Sequence, residues 1–156
     1  GCFGGGTGIV AACDVVIAAD NAMFSIAETR WGLMAGIILP QLADAIGARQ
    51  VRRYALTGER FGAEEARRIG LVHDVVPLAQ LDAAGEKVVD ALLQNAPEAN
   101  AITKKRALQF AFGCPEGAVF DEVVKEHAGK RRSEEAMEGL ASFAEKRPAR
   151  WYRPAR

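Results

Sequence analysis

The sequence predicts an α/β fold in its first half and a helical second half, on three observations. Short apolar runs bounded by turn residues recur as far as residue 77, which is typical of strands and short helices. Glycines that can end helices follow several of these runs. From residue 78 onward, apolar residues recur at helical spacing instead. We therefore divide the chain into residues 1–77 and residues 78–156.

The chain opens on a run of glycines, Gly4 to Gly6, around which we interpret the rest. Glycine permits close approach of other groups and backbone angles that other residues avoid. The small and apolar residues 7–12 behind the run predict a short buried helix. A glycine turn that opens a helix presents free N–H groups and the positive end of the helix dipole to whatever lies in front. The stretch predicts an anion or oxyanion site, although the glycines would also permit close packing alone.

The elements of the first half follow from local signals. Pro40 and Gly47 are typical of the start and end of a short helix, and Gly58 ends the next one. Acidic residues at 64–65 and basic residues at 67–68 agree with the dipole of a third helix. In chain order, we predict strands at 14–18 and 22–26, a loop at 27–36, helices at 39–46, 48–57 and 62–69, and a strand at 71–76.

The second half reads as a series of helices. Apolar residues at 81, 84, 88 and 92 share one helical face, and the sequence Asn95-Ala96-Pro97 breaks that helix. The next break is Gly113-Cys114-Pro115. We predict helices at 78–94 and 98–112, one lined by Phe120, Val123, Val124 and His127, and one lined by Met137, Leu140, Ala141 and Ala144.

Composition excludes several functional classes. The chain has 20 basic and 20 acidic residues in 156, so nothing indicates a nucleic-acid or membrane partner. Cys2, Cys13 and Cys114 show no metal or redox spacing, and an odd number of cysteines suits a reducing cytosol. His73 and His127 have no second ligand nearby in sequence. We expect a cytoplasmic protein without a metal.

Three blocks together resemble one family. FGGGTGIVAACDVVIAADNAMFSIAETRWGL, ALTGERFGAEEARRIGLVHDVVP and EGLASFAEKRPARW look like the second half of a crotonase-superfamily protein of the enoyl-CoA hydratase/isomerase family. The resemblance implies the second half of a crotonase (ClpP-like) ββα spiral with C-terminal helices, assembled as a homo-trimer or hexamer. It implies an acyl-CoA substrate and no separate cofactor, because coenzyme A is part of the substrate. We expect an upstream half carrying the first turns, much of the CoA pocket and one oxyanion donor.

The resemblance also assigns the catalytic groups. In the family, two backbone N–H groups polarise the thioester carbonyl, and by similarity the second donor is Gly5, with Gly4 and Gly6 beside it. Such a pair stabilises the enolate that forms when a proton is added or removed next to a thioester. One of the two family glutamates aligns with Glu28, and Arg30 and Trp31 adjoin it as candidates for orienting it. The alternative for Glu28 is an ordinary loop carboxylate.

The sequence departs from the hydratase pattern at two places. Gly8 stands where many hydratases have their first glutamate, so it can do no proton chemistry. Ile37, Ile38 and Leu39 replace a glycine-rich run, and they either shape the acyl pocket or pack the helix start. Both departures are similar to hydratases of branched glutaconyl-CoA thioesters.

The C-terminal block supplies two further candidates. Family members often use an aromatic residue and a lysine from this helix against the CoA of their own or a neighbouring subunit, which indicates Phe143 and Lys146. The alternative is a solvated helix end.

We predict a lyase that adds water to an α,β-unsaturated acyl-CoA. One surviving carboxylate also suits an enoyl-CoA isomerase that shuttles a single proton. A third interpretation is a non-catalytic assembly subunit with an incomplete site. Residues 6–11 also match the GxGxxA fingerprint of dinucleotide-binding oxidoreductases, but the helix predicted behind the glycines is too short for that fingerprint.

Overall fold

The architecture is that of a computed structural model, which describes residues 1–31, 33–111 and 117–153. The chain divides into two compact units, residues 1–85 and residues 86–156. The division falls within a helix, whereas the sequence analysis placed the boundary between residues 77 and 78. The predicted helix end at Phe112 and the break at 113–115, including Cys114, lie outside the described residues.

The first unit combines short strands with short helices. Its strands are β1 (Cys2–Phe3), β2 (Ile17–Ala19), β3 (Met23–Ser25), β4 (Arg60–Gly62) and β5 (Asp74–Val76). Its helices are α1 (Gly5–Ala11), α2 (Leu39–Thr57), α3 (Ala63–Arg68) and a 3-10 turn at Glu28–Trp31. A second 3-10 turn at Leu78–Gln80 precedes α4 (Leu81–Leu93).

The strands form two small sheets. In the first, β3 lies between β1, to which it is parallel, and β4, to which it is antiparallel. In the second, β2 pairs in parallel with β5. Strands β1 and β4 were not predicted, because two or three residues show no periodicity and both strands depend on pairing with β3. The predicted strands at 22–26 and 71–76 exist but are shorter, and the strand predicted at 14–18 lies at Ile17–Ala19 instead.

The helix α2 contains a break that the sequence predicted. Gly47 has φ 73° and ψ 149°, so two helical segments meet there, and Gly58 ends the second in the left-handed conformation with φ 59°. Both glycines have a positive φ, which residues with a side chain rarely adopt. The predicted helices at 39–46 and 48–57 are therefore confirmed.

The apolar core of the first unit lies between the sheets and α2. Tyr54 and Phe61 pack with ring centroids 4.2 Å apart, and Phe61 stacks on Phe24 at 5.8 Å. The hydroxyl of Tyr54 donates to the carboxylate of Glu65, which also accepts from Arg68. The hydrogen bond from Arg68, followed by that from Tyr54, lowers the pKa of Glu65 to about 2. Other buried core residues are Ala18, Ile26, Leu42, Ile46, Val51, Ala66, Leu71 and Val72.

The second unit consists of helices joined by ionic contacts. After the end of α4 come α5 (Pro97–Phe110), α6 (Gly117–Lys130) and α7 (Glu134–Ala144). Arg106 of α5 is buried and contacts Glu122 and Glu126 of α6 at 2.8 and 2.6 Å. Met137 and Leu140, which lined the predicted apolar face of α7, are exposed.

The described residues contain neither a membrane-spanning helix nor a cluster of metal ligands. None of their helices combines the length and the apolar character needed to cross a bilayer. In this part of the chain, no three His, Cys, Asp or Glu side chains group in a way that could hold a metal ion.

Candidate active site

A bend at Gly4 presents free amide groups at the start of α1. Gly4 has φ 54°, and its N–H donates to the Ser25 carbonyl of β3 at 2.9 Å. The next two amides, of Gly5 and Gly6, have no acceptor among the described residues, as expected for the first turn of a helix. A Cβ added at Gly5 would meet no atom within 4 Å, so the space beside it is open.

Thr7 fixes this bend against the sheet. Its side chain is fully buried, and Oγ1 lies 2.9 Å from the carbonyl oxygen of Cys2 and 3.0 Å from that of Ser25. These two residues belong to the adjacent strands β1 and β3. One hydroxyl therefore ties the first turn of α1 to both strands. This role of Thr7 was not predicted, because a threonine within a glycine run has no distinctive sequence pattern.

The carboxylate of Glu28 lies against the same bend. Its Oε1 is 3.2 Å and its Oε2 3.8 Å from the position that a Cβ at Gly4 would occupy. Oε2 is shielded from solvent, and no described residue hydrogen bonds to it. Buried polar atoms almost always have a partner, so an unpaired carboxylate oxygen here can accept a proton or a hydrogen bond from a ligand. The structure places the Glu28 carboxylate against Gly4, the residue before Gly5, and the catalytic roles of Glu28 and Gly5 stay a prediction.

The turn that carries Glu28 is anchored on the end of α2. Thr29 Oγ1 donates to the Ala55 carbonyl at 2.8 Å, and Arg30 Nη2 donates to the Thr57 carbonyl at 3.4 Å. The Leu33 N–H closes the turn by donating to the Glu28 carbonyl at 3.1 Å. These contacts tie the backbone of the turn to the end of α2, and an orienting role of Arg30 for Glu28 stays a prediction. Trp31 is 79% exposed, and its role in orienting Glu28 stays a prediction.

The apolar residues at the start of α2 divide into one exposed and two packed residues. Ile37 is 92% exposed, whereas Ile38 and Leu39 pack against the core. Gly8 is buried, and a Cβ added there would lie 2.1 Å from Ile38 Cγ2. Residue 8 therefore has no room for a side chain. The packing at the helix start is observed for Ile38 and Leu39, while a role of these residues in an acyl pocket stays a prediction.

The two C-terminal candidates lie at the end of α7. Phe143 is 85% exposed, and with Trp151 and Tyr152 it lines a cavity of about 560 Å³. Lys146 is exposed and has φ 52°, because the chain leaves the helix there. Both belong to the second unit. Their predicted contact with CoA stays a prediction.

This arrangement can stabilise negative charge and move a proton. The free amides of Gly5 and Gly6 can donate to a substrate oxygen on which negative charge develops during a reaction. The Glu28 carboxylate, whose Oε2 has no hydrogen-bond partner among the described residues, lies at the same bend. A family model described as enoyl-CoA hydratase/isomerase matches residues 1–154. The chain belongs to the enoyl-CoA hydratase/isomerase family.

Individual relatives agree with this assignment. The chain is 40% identical over 107 residues to the hydroxycinnamoyl-CoA hydratase-lyase of Pseudomonas fluorescens, which is 68% of this chain and 37% of that protein. It is 34% identical over 158 residues to the mevalonyl-coenzyme A hydratase sidH of Aspergillus fumigatus, covering 99% of this chain and 58% of the relative. The chain therefore spans less than two thirds of the length of either relative.

A solved structure agrees at the level of the fold. The crystal structure of an enoyl-CoA hydratase from Shewanella pealeana matches with a TM-score of 0.89 at 37% identity, over 96% of this chain and 56% of that one. The predicted α/β class and crotonase fold are confirmed. Membership of the enoyl-CoA hydratase/isomerase family also sets aside the dinucleotide-binding oxidoreductase that the glycine pattern left open.

Proposed function

We propose that the complete protein adds water to the double bond of an α,β-unsaturated acyl-CoA, with Gly5 and Glu28 of this chain in the active site. The single observation that carries the proposal is the position of the Glu28 carboxylate, whose Oε1 lies 3.2 Å from the position that a Cβ at Gly4 would occupy, at the bend that leaves the Gly5 amide free. The hydratase names of the relatives support hydration or lyase chemistry on an acyl-CoA.

In the proposed reaction, the Gly5 N–H donates to the thioester oxygen together with a second donor from the upstream half. Glu28 takes a proton from water, the resulting hydroxide bonds to the β carbon, and the electron pair of the double bond moves onto the thioester as an enolate. The protonated Glu28 then returns the proton to the α carbon. The same carboxyl group acts first as base and then as acid, so that water is added and no proton is left over.

A second candidate is an enoyl-CoA isomerase. It is favoured by the side chain of Ile38, which fills the space at residue 8 and leaves Glu28 as the carboxylate at the bend. In that reaction, Glu28 removes a proton from one carbon and returns it to another, and no water is consumed. Product analysis with a 2-enoyl-CoA and a 3-enoyl-CoA distinguishes the two candidates by the 3-hydroxyacyl-CoA that only hydration forms.

The identity of the acyl group in the substrate is also a proposal. The sequence pattern favours branched glutaconyl-type thioesters, but the names of the relatives are hydroxycinnamoyl and mevalonyl, which support acyl-CoA chemistry in general and not the glutaconyl type. Turnover measured across straight, branched and aromatic 2-enoyl thioesters would identify the preferred class.

The assembly and location are likewise proposed from the family resemblance. We infer a homo-trimer or hexamer in which Phe143 and Lys146 contact CoA, located in the cytoplasm. Light scattering of the complete protein tests the oligomer. The F143A and K146A variants should raise the Kd for CoA esters, and unchanged affinity would count against the contact.

The substitution Glu28→Gln tests the catalytic proposal. Glutamine keeps the size of the side chain but cannot exchange the proton, so we expect kcat to fall by about 10²–10⁴-fold while the CoA ester still binds. Glu64→Gln is the matched control, because Glu64 is an exposed carboxylate of α3.

Each outcome of this test has a meaning. Undiminished kcat in E28Q would remove Glu28 from the mechanism. If the complete protein neither binds a CoA ester nor turns one over, the alternative of a non-catalytic assembly subunit is supported.

A further inference from the structure

The buried oxygen of the Glu28 carboxylate is not held by a polar contact of its own. Oε2 is shielded from solvent and has no hydrogen-bond partner among residues 1–31, 33–111 and 117–153. Misplacement of a catalytic group by about 1 Å can cost about 100-fold in rate. The position of this carboxylate therefore depends on how firmly the backbone that carries it is held.

The residue after Glu28 anchors the turn to the end of α2. Thr29 Oγ1 donates to the Ala55 carbonyl at 2.8 Å. Ala55 lies in the last turn of α2, where carbonyl groups have no partner inside the helix, so the hydroxyl satisfies a free acceptor. On the other side of the turn, the Leu33 N–H donates to the Glu28 carbonyl at 3.1 Å. The backbone at Glu28 is thus held by the turn, and the turn is held by the helix.

The last residue of β3 connects the glycine bend with the same helix end. Ser25 is buried, and its Oγ donates to the Gly58 carbonyl at 3.2 Å. Its own carbonyl oxygen accepts from the Gly4 N–H at 2.9 Å. The bend is therefore linked to the end of α2 through Ser25, and Glu28 is linked to it through Thr29. The two parts of the candidate site share one support.

Gly58 makes room for a third contact between the turn and α2. A Cβ at Gly58 would lie 2.6 Å from Arg30 Nε, so the side chain of Arg30 lies directly against this glycine. Arg30 Nη2 donates to the Thr57 carbonyl, but at 3.4 Å this hydrogen bond is long. The shorter bond from Thr29 is therefore the main polar anchor of the turn.

We propose that Thr29 is a positioning residue for Glu28. Its hydrogen bond to the Ala55 carbonyl holds the turn against α2, and thereby sets how close the Glu28 carboxylate lies to the Gly4 bend. Without that bond the turn is held less tightly, and the carboxylate spends less time where a bound substrate needs it. This inference rests on the proposed function for its effect on kcat, but not for its effect on the turn.

The effect on kcat is tested with Thr29→Val in the complete protein, on a 2-enoyl-CoA. Valine keeps the shape of threonine and removes the hydroxyl, so we expect kcat to fall by about 10- to 100-fold, with little change in KM. Thr29→Ser should restore kcat, and Thr29→Ala should lose it as valine does. Thr57→Val is the matched control, because Thr57 Oγ1 donates to the Arg53 carbonyl within α2 and the substitution leaves the Thr57 carbonyl in place. Undiminished kcat in both T29V and T29A would overturn the inference.

A cycle with E28Q distinguishes positioning from a general effect on the fold. If Thr29 acts through Glu28, T29V should lower kcat in the unmodified protein but cause no further loss in E28Q, because the group it positions no longer exchanges a proton. Equal losses in both backgrounds would show that Thr29 supports the fold in general, and would overturn its assignment to Glu28.

Hydrogen exchange separates this inference from the proposed function. In T29V the Leu33 amide should exchange about twofold to tenfold faster than in the unmodified protein, as expected for the loss of one hydrogen bond, whereas T57V should leave it unchanged. An unchanged Leu33 amide in T29V would show that Thr29 does not hold the turn, and would overturn the inference. If the unmodified protein turns over no enoyl-CoA of any class, the proposed function fails, and the exchange measurement still decides whether Thr29 anchors the turn.

Discussion

Removal of the Gly5 amide is the most direct test of the oxyanion assignment. Proline at residue 5 has no N–H, and the first position of a helix accepts proline because its amide has no partner inside the helix. Alanine at the same position keeps the N–H, and its methyl group finds no atom within 4 Å. The ratio of kcat between Gly5→Ala and Gly5→Pro therefore measures the single donor with little contribution from packing.

The expected magnitude follows from the role of that donor. Loss of one preorganised donor to an oxyanion typically costs about 2.7–4 kcal/mol, or about 10²–10³-fold in kcat. We expect G5A to retain turnover near that of the unmodified protein and G5P to lose it by this factor. The assay is steady-state hydration of a 2-enoyl-CoA by the complete protein. Equal melting temperatures of the two variants establish that the fold is preserved.

One result would refute the assignment. If G5P folds as well as G5A and its kcat lies within about tenfold of the G5A value, the Gly5 amide does not stabilise the transition state. The Gly6 amide would then be the donor to test, since it is also free in the first turn of α1.

Two further predictions concern stability. Thr7→Val should lower the free energy of unfolding by about 0.5–1.5 kcal/mol, because it removes the one hydroxyl proton shared by the Cys2 and Ser25 carbonyls, of which the Ser25 carbonyl still accepts from the Gly4 N–H. Thr7→Ser should restore the stability, and an unchanged urea midpoint in T7V would contradict this. The depressed pKa of Glu65, about 2, means that its contribution to stability is present above about pH 4.5 and lost as the pH falls from about 4.5 towards 2. The difference in unfolding free energy between the unmodified protein and Glu65→Gln, measured by urea titration, should therefore shrink over that range, and a difference independent of pH would count against the contact.

Local signals in the sequence predicted elements that end on special residues. Gly47 and Gly58 both have positive φ, so the two segments of α2 were predicted with their correct limits. The short strands were harder, because β1 and β4 hold two or three residues each and exist through pairing with β3. No periodicity fits in so short a segment.

Some residues of the candidate site were identified from the sequence, and others only from their contacts in the folded chain. The glycine run and Glu28 were identified from motifs. The two are more than twenty residues apart in sequence, and that separation does not predict how close they lie in space. Thr7, Thr29 and Arg30 hold the site through contacts with Ser25, Ala55 and Thr57, each far away in the chain. Such partners cannot be chosen before the chain is folded.

The sequence alone determined the family, the glycine bend, the order of the helices and the absence of an acid at residue 8. These features are set by residue type and by spacing along the chain. Tertiary structure alone decided that the Glu28 carboxylate lies against Gly4 and that Ile38 fills the space beside Gly8. The physical reason is that both contacts join segments brought together by strand pairing and helix packing, and excluded volume acts only between atoms that the fold has already made neighbours.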